Sequence, residues 1–190
     1  TGHDLLIKID AIAVNPVDTK VISSLTETLS TPRIVGWDAC GTVIATGENT
    51  VLFNPGDKVF YAGDVTRPGC YASHQIVDER IVGKAPTSLS PEQIAVMPLT
   101  SITAWEALFS RLKITEQLDA GKNILIIGGA GGVGSIAIQL AKKIAGLNVI
   151  TTASQPSSIE WCEKLGADHL INHHKDIVVQ YRTLGISDPD

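Results

Sequence analysis

Gly129-Ala130-Gly131-Gly132-Val133-Gly134 has the spacing G-x-G-x-x-G. In such a pattern one glycine allows a tight turn and one lets a phosphate approach bare main chain. The last lets a helix pack closely on a strand. The N–H groups at the start of that helix then hold the anion. The pattern alone is weak, and its context gives it weight. It directly follows Asn123-Ile124-Leu125-Ile126-Ile127, a continuous apolar run that reads as a parallel strand buried on both faces. It opens an apolar helix from Gly132 to Ala145. The alternative is a glycine-rich turn with no ligand.

The end of the next strand bears on which dinucleotide fits. A site for NAD places Asp or Glu there to bind the ribose 2′-OH. Here Val149-Ile150-Thr151-Thr152-Ala153 runs into Ser154-Gln155 with no acid, and an absent carboxylate favours a 2′-phosphate. Ser154 and Thr152 carry hydroxyls that can donate to it. No Arg or Lys stands at that strand end, and Lys164 lies farther along a helix. The expected cofactor is therefore NADPH rather than NADH. The candidate cofactor-binding residues are Gly129, Gly131, Gly132, Val133, Gly134, Thr152, Ser154 and Gln155.

Around this motif the chain has two characters. The first part carries short apolar runs broken by Gly, Pro, Asn and Asp. Strands are expected at Leu5–Ile9, Ala11–Val14 (ended by Asn15-Pro16), Thr42–Thr46, Lys58–Tyr61, Tyr71–Val77 and Arg80–Val82. Asn54-Pro55-Gly56-Asp57 is a turn. This β-rich region suits a small barrel. Ser90-Pro91 then caps a helix. Pro98 is expected to end that helix, and 103–111 to form another. From 123 onward the order is strand, helix, strand, helix (from about Ser157 to Leu165) and a short strand, His169-Leu170-Ile171. That is the first half of a dinucleotide-binding fold. The expected domains are 1–97 and 98–190.

Composition sets the outer limits. Of 190 residues, 44% are hydrophobic and 18% charged, enough apolar side chain for a packed core. A net charge of −5 argues against nucleic acid as the main partner. No apolar run approaches the ~20 residues of a membrane span. Cys40, Cys70 and Cys162 are odd in number and far apart, which fits a reducing cytoplasm better than a disulfide framework. Thr1-Gly2-His3-Asp4 has neither initiator Met nor signal peptide, and the sequence stops where a second half of the sheet should begin. Both suggest a trimmed chain or a fragment.

Several segments together resemble the medium-chain dehydrogenase/reductase family. They are Asn15-Pro16-Val17-Asp18-Thr19-Lys20, Gly36-Trp37-Asp38-Ala39-Cys40-Gly41-Thr42-Val43 with Gly47, Phe53 to Val59, Pro98 to Trp105, and Gly128 to Gln139. The resemblance is nearest to the quinone oxidoreductases and the zinc-type alcohol-dehydrogenase-like proteins. It implies an α/β plus β chain: a GroES-like β-barrel catalytic domain lacking its N-terminal strand, then the first half of a Rossmann domain. The resemblance further implies an active site between the two domains. It also implies a homodimer paired through a strand beyond Asp190, and weak cofactor binding by a chain of this length.

Zinc-dependent members of the family hold their metal with a Cys near the position of Asn15, a His-Glu pair after the glycine matching Gly36, and a later Cys or Asp. This sequence has Asn15, Trp37 and Asp38 there, and the loop of closely spaced cysteines is absent. No metal is expected, and His173-His174 reads as solvated surface. Without a Lewis acid, a readily reduced acceptor suits the site: a quinone or an α,β-unsaturated carbonyl taking hydride. By resemblance Asn15, Asp18 and Thr103 lie beside the nicotinamide. Asn15 would donate to the developing oxyanion, and Asp18 would position a ribose hydroxyl, a loop or Lys20. Trp37 and Tyr61 are candidates to line an apolar substrate pocket. Turn, cap and core roles stay open for each of these residues. The competing functions are a zinc-dependent alcohol dehydrogenase and a low-turnover cofactor-binding sensor or structural protein.

Overall fold

A computed structural model describes residues 2–186. The chain divides into two compact units, with the boundary between Leu99 and Thr100.

The first unit is built on one antiparallel sheet of five strands: β1 (Asp4–Ile12), β2 (Asp38–Thr46), β3 (Lys58–Ala62), β4 (His74–Asp78) and β5 (Val82–Lys84). Their order is β4-β1-β2-β3-β5. Alternate residues turn inward, as the two-residue period of a strand requires. Leu5 and Ile7 of β1, Ala39 and Val43 of β2, Val59 and Tyr61 of β3 and Val77 of β4 make one core with Phe53 and Cys70. Pairing of Leu5 with Val77 and of Ile7 with Val43 aligns these rows. Among the described residues β4 and β5 do not pair, so the expected barrel has a seam.

A buried acid closes one end of this sheet. Glu79 is 1% exposed. Its Oε1 lies 2.8 Å from His3 Nδ1, and its Oε2 accepts from the Leu52 and Val51 amides at 2.8 and 3.0 Å. Burial alone would raise this carboxyl, but the bonds from His3, Leu52 and Val51 outweigh it and hold it below its ordinary value. An irregular loop is thereby tied to the sheet.

Local chemistry shifts several expected boundaries. Asn15-Pro16 does more than stop a strand, because Pro16 opens α1 (Pro16–Ser23) at the position where its missing N–H costs nothing. The strand expected from Tyr71 starts only at His74, since the amides of Cys70 and Tyr71 are turned back onto the carbonyls of Gly36 and Val35. Asp78 caps a 3-10 turn, Glu79–Ile81, where strand was expected. α2 (Pro91–Ala95) has the Ser90–Gln93 capping box. Pro98 begins a helix rather than ending one: α3 (Pro98–Trp105) continues into a π-helical turn, Glu106–Arg111.

The second unit holds α4 (Glu116–Asp119), β6 (Asn123–Ile126), α5 (Gly132–Lys143), β7 (Asn148–Thr152), α6 (Pro156–Leu165), β8 (His169–Ile171) and α7 (Ile177–Leu184). Its strands are parallel in the order β6-β7-β8. Ile138 and Ala141 of α5 and Cys162 of α6 pack with Val149 in one core, while Ile150 packs with Ile171 and Tyr181 of α7 in another. The central strand β7 is buried on both faces, as a parallel strand should be. β6 is only half-buried, because it is an outer strand among the described ones. The α7 helix was not expected. Its start is marked by Asp176, whose Oδ1 accepts from the Val179 amide at 3.0 Å.

The two aromatic residues considered as pocket lining sit inside the first unit. Trp37 and Tyr61 are 1% and 2% exposed. The Trp37 indole donates to the Asp64 carbonyl at 3.0 Å, and the Tyr61 hydroxyl donates to Gln75 Oε1 at 2.8 Å. Both serve as core, and neither presents a face to a ligand in this structure. Tyr61→Phe should lower unfolding stability by about 1–2 kcal/mol by orphaning the Gln75 oxygen, while substrate KM stays unchanged. A raised KM with unchanged stability would restore Tyr61 to the pocket.

Candidate functional site

In the first unit the polar residues converge at the start of α1 and of β2. Asp38 is fully buried. Its Oδ2 accepts from Asn15 Nδ2 at 3.0 Å, and its Oδ1 accepts from the Leu99 amide at 3.1 Å. Burial raises its carboxyl to about 6 even though both bonds pull the other way. Asp18, 2% exposed, uses one oxygen twice: Oδ2 accepts from the Asn15 amide at 2.7 Å and from the Tyr71 hydroxyl at 2.6 Å. Its Oδ1 is buried without a partner. Of the roles expected for Asp18, the structure shows the positioning of a loop; no Lys20 bond to it occurs among the described residues. Burial also raises Cys70, to about 11, and its thiol donates to the Asp38 carbonyl at 3.5 Å.

Tyr71 can reach Asp18 because Gly36 leaves space for it. Gly36 has φ +95°, and a Cβ there would run into the Tyr71 ring and come within 2.9 Å of Cys70 Sγ. Asp38 and Tyr71 were not among the expected site residues. The sequence marks Asp38 only by the segment Gly36–Val43 that it lies in and by the zinc pattern that is lacking there. A carboxylate 23 residues from Asn15 gives no local signal of their bond.

In the second unit the glycine turn lies between β6 and α5. The left-handed angle falls on Gly128 (φ +73°), one residue ahead of the motif. The motif's own glycines are needed for close approach. A Cβ on Gly129 would run into Thr151 Oγ1, and one on Gly134 into the Gly128 carbonyl. At Gly131 the nearest neighbour would be the Gly128 carbonyl at 3.3 Å, and at Gly132 it would be Thr100 at 3.0 Å. α5 starts at Gly132; the Gly131 before it gives no side-chain cap, and the helix has no acidic residue in its first turn. A pyrophosphate fits such an uncapped, glycine-lined helix start. Val133 lies in that first turn, 38% exposed.

The end of β7 departs from expectation at one residue. Thr152 is buried, and its Oγ1 accepts from the Gly128 amide at 2.8 Å, so it braces the turn instead of facing a phosphate. Ser154 is half-buried and Gln155 exposed. Pairing of Thr152 with Ile171 sets them beside the turn after β8 that carries the exposed His173 and His174. Lys164 lies over the Trp161 ring, 6.0 Å from its centre. Thr103 is exposed on α3, inside the helix and not at its cap.

A zinc ion does not fit the residues of the first unit. A tetrahedral site needs converging Cys, His or carboxylate ligands. At the matching positions one finds an amide bonded to Asp38, an indole bonded to a carbonyl, and the Asp38 carboxyl, whose two oxygens already accept from Asn15 and Leu99. Among the described residues no three His, Cys, Asp or Glu side chains gather to hold a metal.

Comparison with known proteins agrees with this architecture. Residues 1–87 match the Alcohol dehydrogenase GroES-like domain, and residues 132–187 match the Zinc-binding dehydrogenase domain. The chain belongs to the medium-chain dehydrogenase/reductase family. It is 51% identical over 183 residues to a zinc-type alcohol dehydrogenase-like protein of Staphylococcus aureus, covering 95% of this chain and 54% of that protein. It is 36% identical to the 2-methylene-furan-3-one reductase of Solanum lycopersicum over 90% of this chain and 45% of that one. The crystal structure of Escherichia coli quinone oxidoreductase complexed with NADPH superimposes with a TM-score of 0.80 at 28% identity, over 96% of this chain and 55% of that one. The chain thus spans about half the length of the relatives it matches. A GroES-like domain followed by a Rossmann-like half is the family's arrangement, and no described helix is long and apolar enough to cross a membrane.

Two outcomes follow. Gly134→Ala, which drives a methyl group into the Gly128 carbonyl, should weaken dinucleotide binding by about 10–100-fold in a fluorescence titration. Asp38 titrates higher folded than unfolded, so the stability it contributes is full below about pH 4 and is lost as pH rises through about 6. Unfolding free energy should fall across that window by on the order of 3 kcal/mol, and Asp38→Asn should flatten that part of the profile.

Proposed function

We propose that this chain is part of an NADPH-dependent oxidoreductase that works without zinc and reduces a quinone or an α,β-unsaturated carbonyl. One observation carries the reading. Where zinc-dependent relatives place a metal ligand, this chain places the Asn15 amide, held by Asp38 at 3.0 Å. An amide N–H can donate to an oxygen that gains charge, which is the task a Lewis acid would otherwise perform. Acceptors that take hydride readily need no more than this. The names of two relatives, a quinone oxidoreductase complexed with NADPH and a 2-methylene-furan-3-one reductase, lie within that substrate class.

Each residue then has a task. NADPH, when bound, supplies the hydride. The turn from Gly129 to Gly134, Val133 included, holds the pyrophosphate on the α5 N-terminus. Ser154 and Gln155 meet the 2′-phosphate, which no carboxylate repels there. Asn15 donates to the substrate oxygen, Asp18 fixes the Asn15 backbone, and Thr103 contacts the nicotinamide end. The whole protein acts as a homodimer on a small molecule. A reducing cytoplasm suits its three free, buried cysteines.

The description of the second matched domain favours one other reading, a zinc-dependent alcohol dehydrogenase. The two separate cleanly in the whole protein. We expect tighter binding of NADPH than of NADH, and oxidation of NADPH by a quinone and an enone that a chelator leaves unchanged. Activity lost to chelator and restored by zinc would establish the alternative instead.

A further inference from the structure

The role of Asn15 depends on which way round its amide stands, because one end donates and the other accepts. Its backbone is fixed: the Asn15 amide donates to Asp18 Oδ2, and Tyr71 holds that same oxygen. Only rotation of the side-chain amide is left, and Asp38 bonds to its nitrogen. We propose that Asp38 is a positioning residue: its carboxylate sets the orientation of the Asn15 amide, and a proton taken up by Asp38 reverses it. The functional part of this inference rests on Asn15 being the donor to substrate.

The argument is one of donors and acceptors. An ionised carboxylate only accepts, so Asp38 suits two facing donors, Asn15 Nδ2 on one oxygen and the Leu99 amide on the other. A protonated carboxyl carries one O–H donor, and each Asp38 oxygen already faces a donor, so the proton is best accommodated where that donor can be exchanged for an acceptor. The Leu99 amide is main chain and cannot turn. The Asn15 amide can, and rotation by half a turn brings its Oδ1 to accept from Asp38. Its NH2 group then occupies the place of the former carbonyl, and the donor offered to a ligand moves with it.

The surroundings put both forms within reach of neutral pH. The titratable groups that act on Asp38 are Asp18 across the α1 turn, which Tyr71 holds, and Cys70 on the segment before β4. Its β3 partner is Ala62, and among the described residues no Lys, Arg or His side chain bonds to it. Burial without a cation, with Asp18 adding to the same effect, raises Asp38 to about 6.

The test reads the amide directly. In the 15N-labelled whole protein, the Asn15 side-chain NH2 signals should shift with one proton and a midpoint near pH 6, matching the 13C shift of the Asp38 carboxyl. In Asp38→Asn the Asn15 signals should be pH-independent. Quinone reduction should fall on the acid side with the same midpoint, by about tenfold in kcat, with NADPH affinity unchanged. Asp38→Asn should lose that limb. Asn15 signals that stay fixed while the Asp38 carboxyl titrates, or that titrate the same way in Asp38→Asn, would overturn the proposal. Should Asp38→Asn not fold, the two midpoints in the unaltered protein decide alone. Coupled midpoints with no limb in turnover would leave the positioning by Asp38 standing and remove Asn15 as the donor.

Discussion

A carboxylate taken out of water must be solvated by the protein itself. Asp38 is the point where the first unit meets that demand, at the start of β2 and against the start of α3. Its two oxygens take a side-chain amide from the α1 turn and a main-chain amide at Leu99, so three separate segments converge on one anion. Asp18 repeats the solution one turn of chain away, with the Asn15 main chain and Tyr71 as donors. Hydrogen bonds between loops, not strand pairing, thus fix the polar corner of this unit. Glu79 does comparable work at a distance from it, binding two successive amides of an irregular loop.

The second unit is governed by size and not by charge. Between β6 and α5 the main chain folds so closely on itself that Gly129 lies against Thr151 and Cys162, and Gly134 against the Gly128 carbonyl. Thr151 and Thr152, successive residues on a buried strand, point to opposite faces. One hydroxyl donates to the Ile126 carbonyl, and the other accepts from Gly128. The turn is therefore braced from beneath before any ligand arrives, which is the preorganisation a phosphate site needs.

The parts of this fold that local patterns dictate were legible in the sequence. The short apolar run Leu5–Ile9, the turn at Asn54–Asp57, the Ser90 cap and the glycine motif after an apolar run each gave the correct element. Parts that depend on distant partners were not legible. Tyr71 looks like strand, yet its main chain bonds to Val35. Trp37 and Tyr61 look like pocket aromatics because a sequence does not show that Asp64 and Gln75 satisfy their polar atoms inside the core. Asp38 looks like a missing zinc residue, and its role emerges only when Asn15 and Leu99 are found at its oxygens.

The contact between Gly36 and Tyr71 ties two positions to a common history. A ring lies where a side chain on residue 36 would have to go, and the φ of +95° at that glycine already disfavours any other residue. Drift at position 36 is thus closed while an aromatic ring occupies 71. If 71 shrinks, Asp18 loses its hydroxyl donor in the same step. Among descendants of a common ancestor these three positions should change together or not at all. A lineage that has lost the tyrosine should have replaced the acid as well.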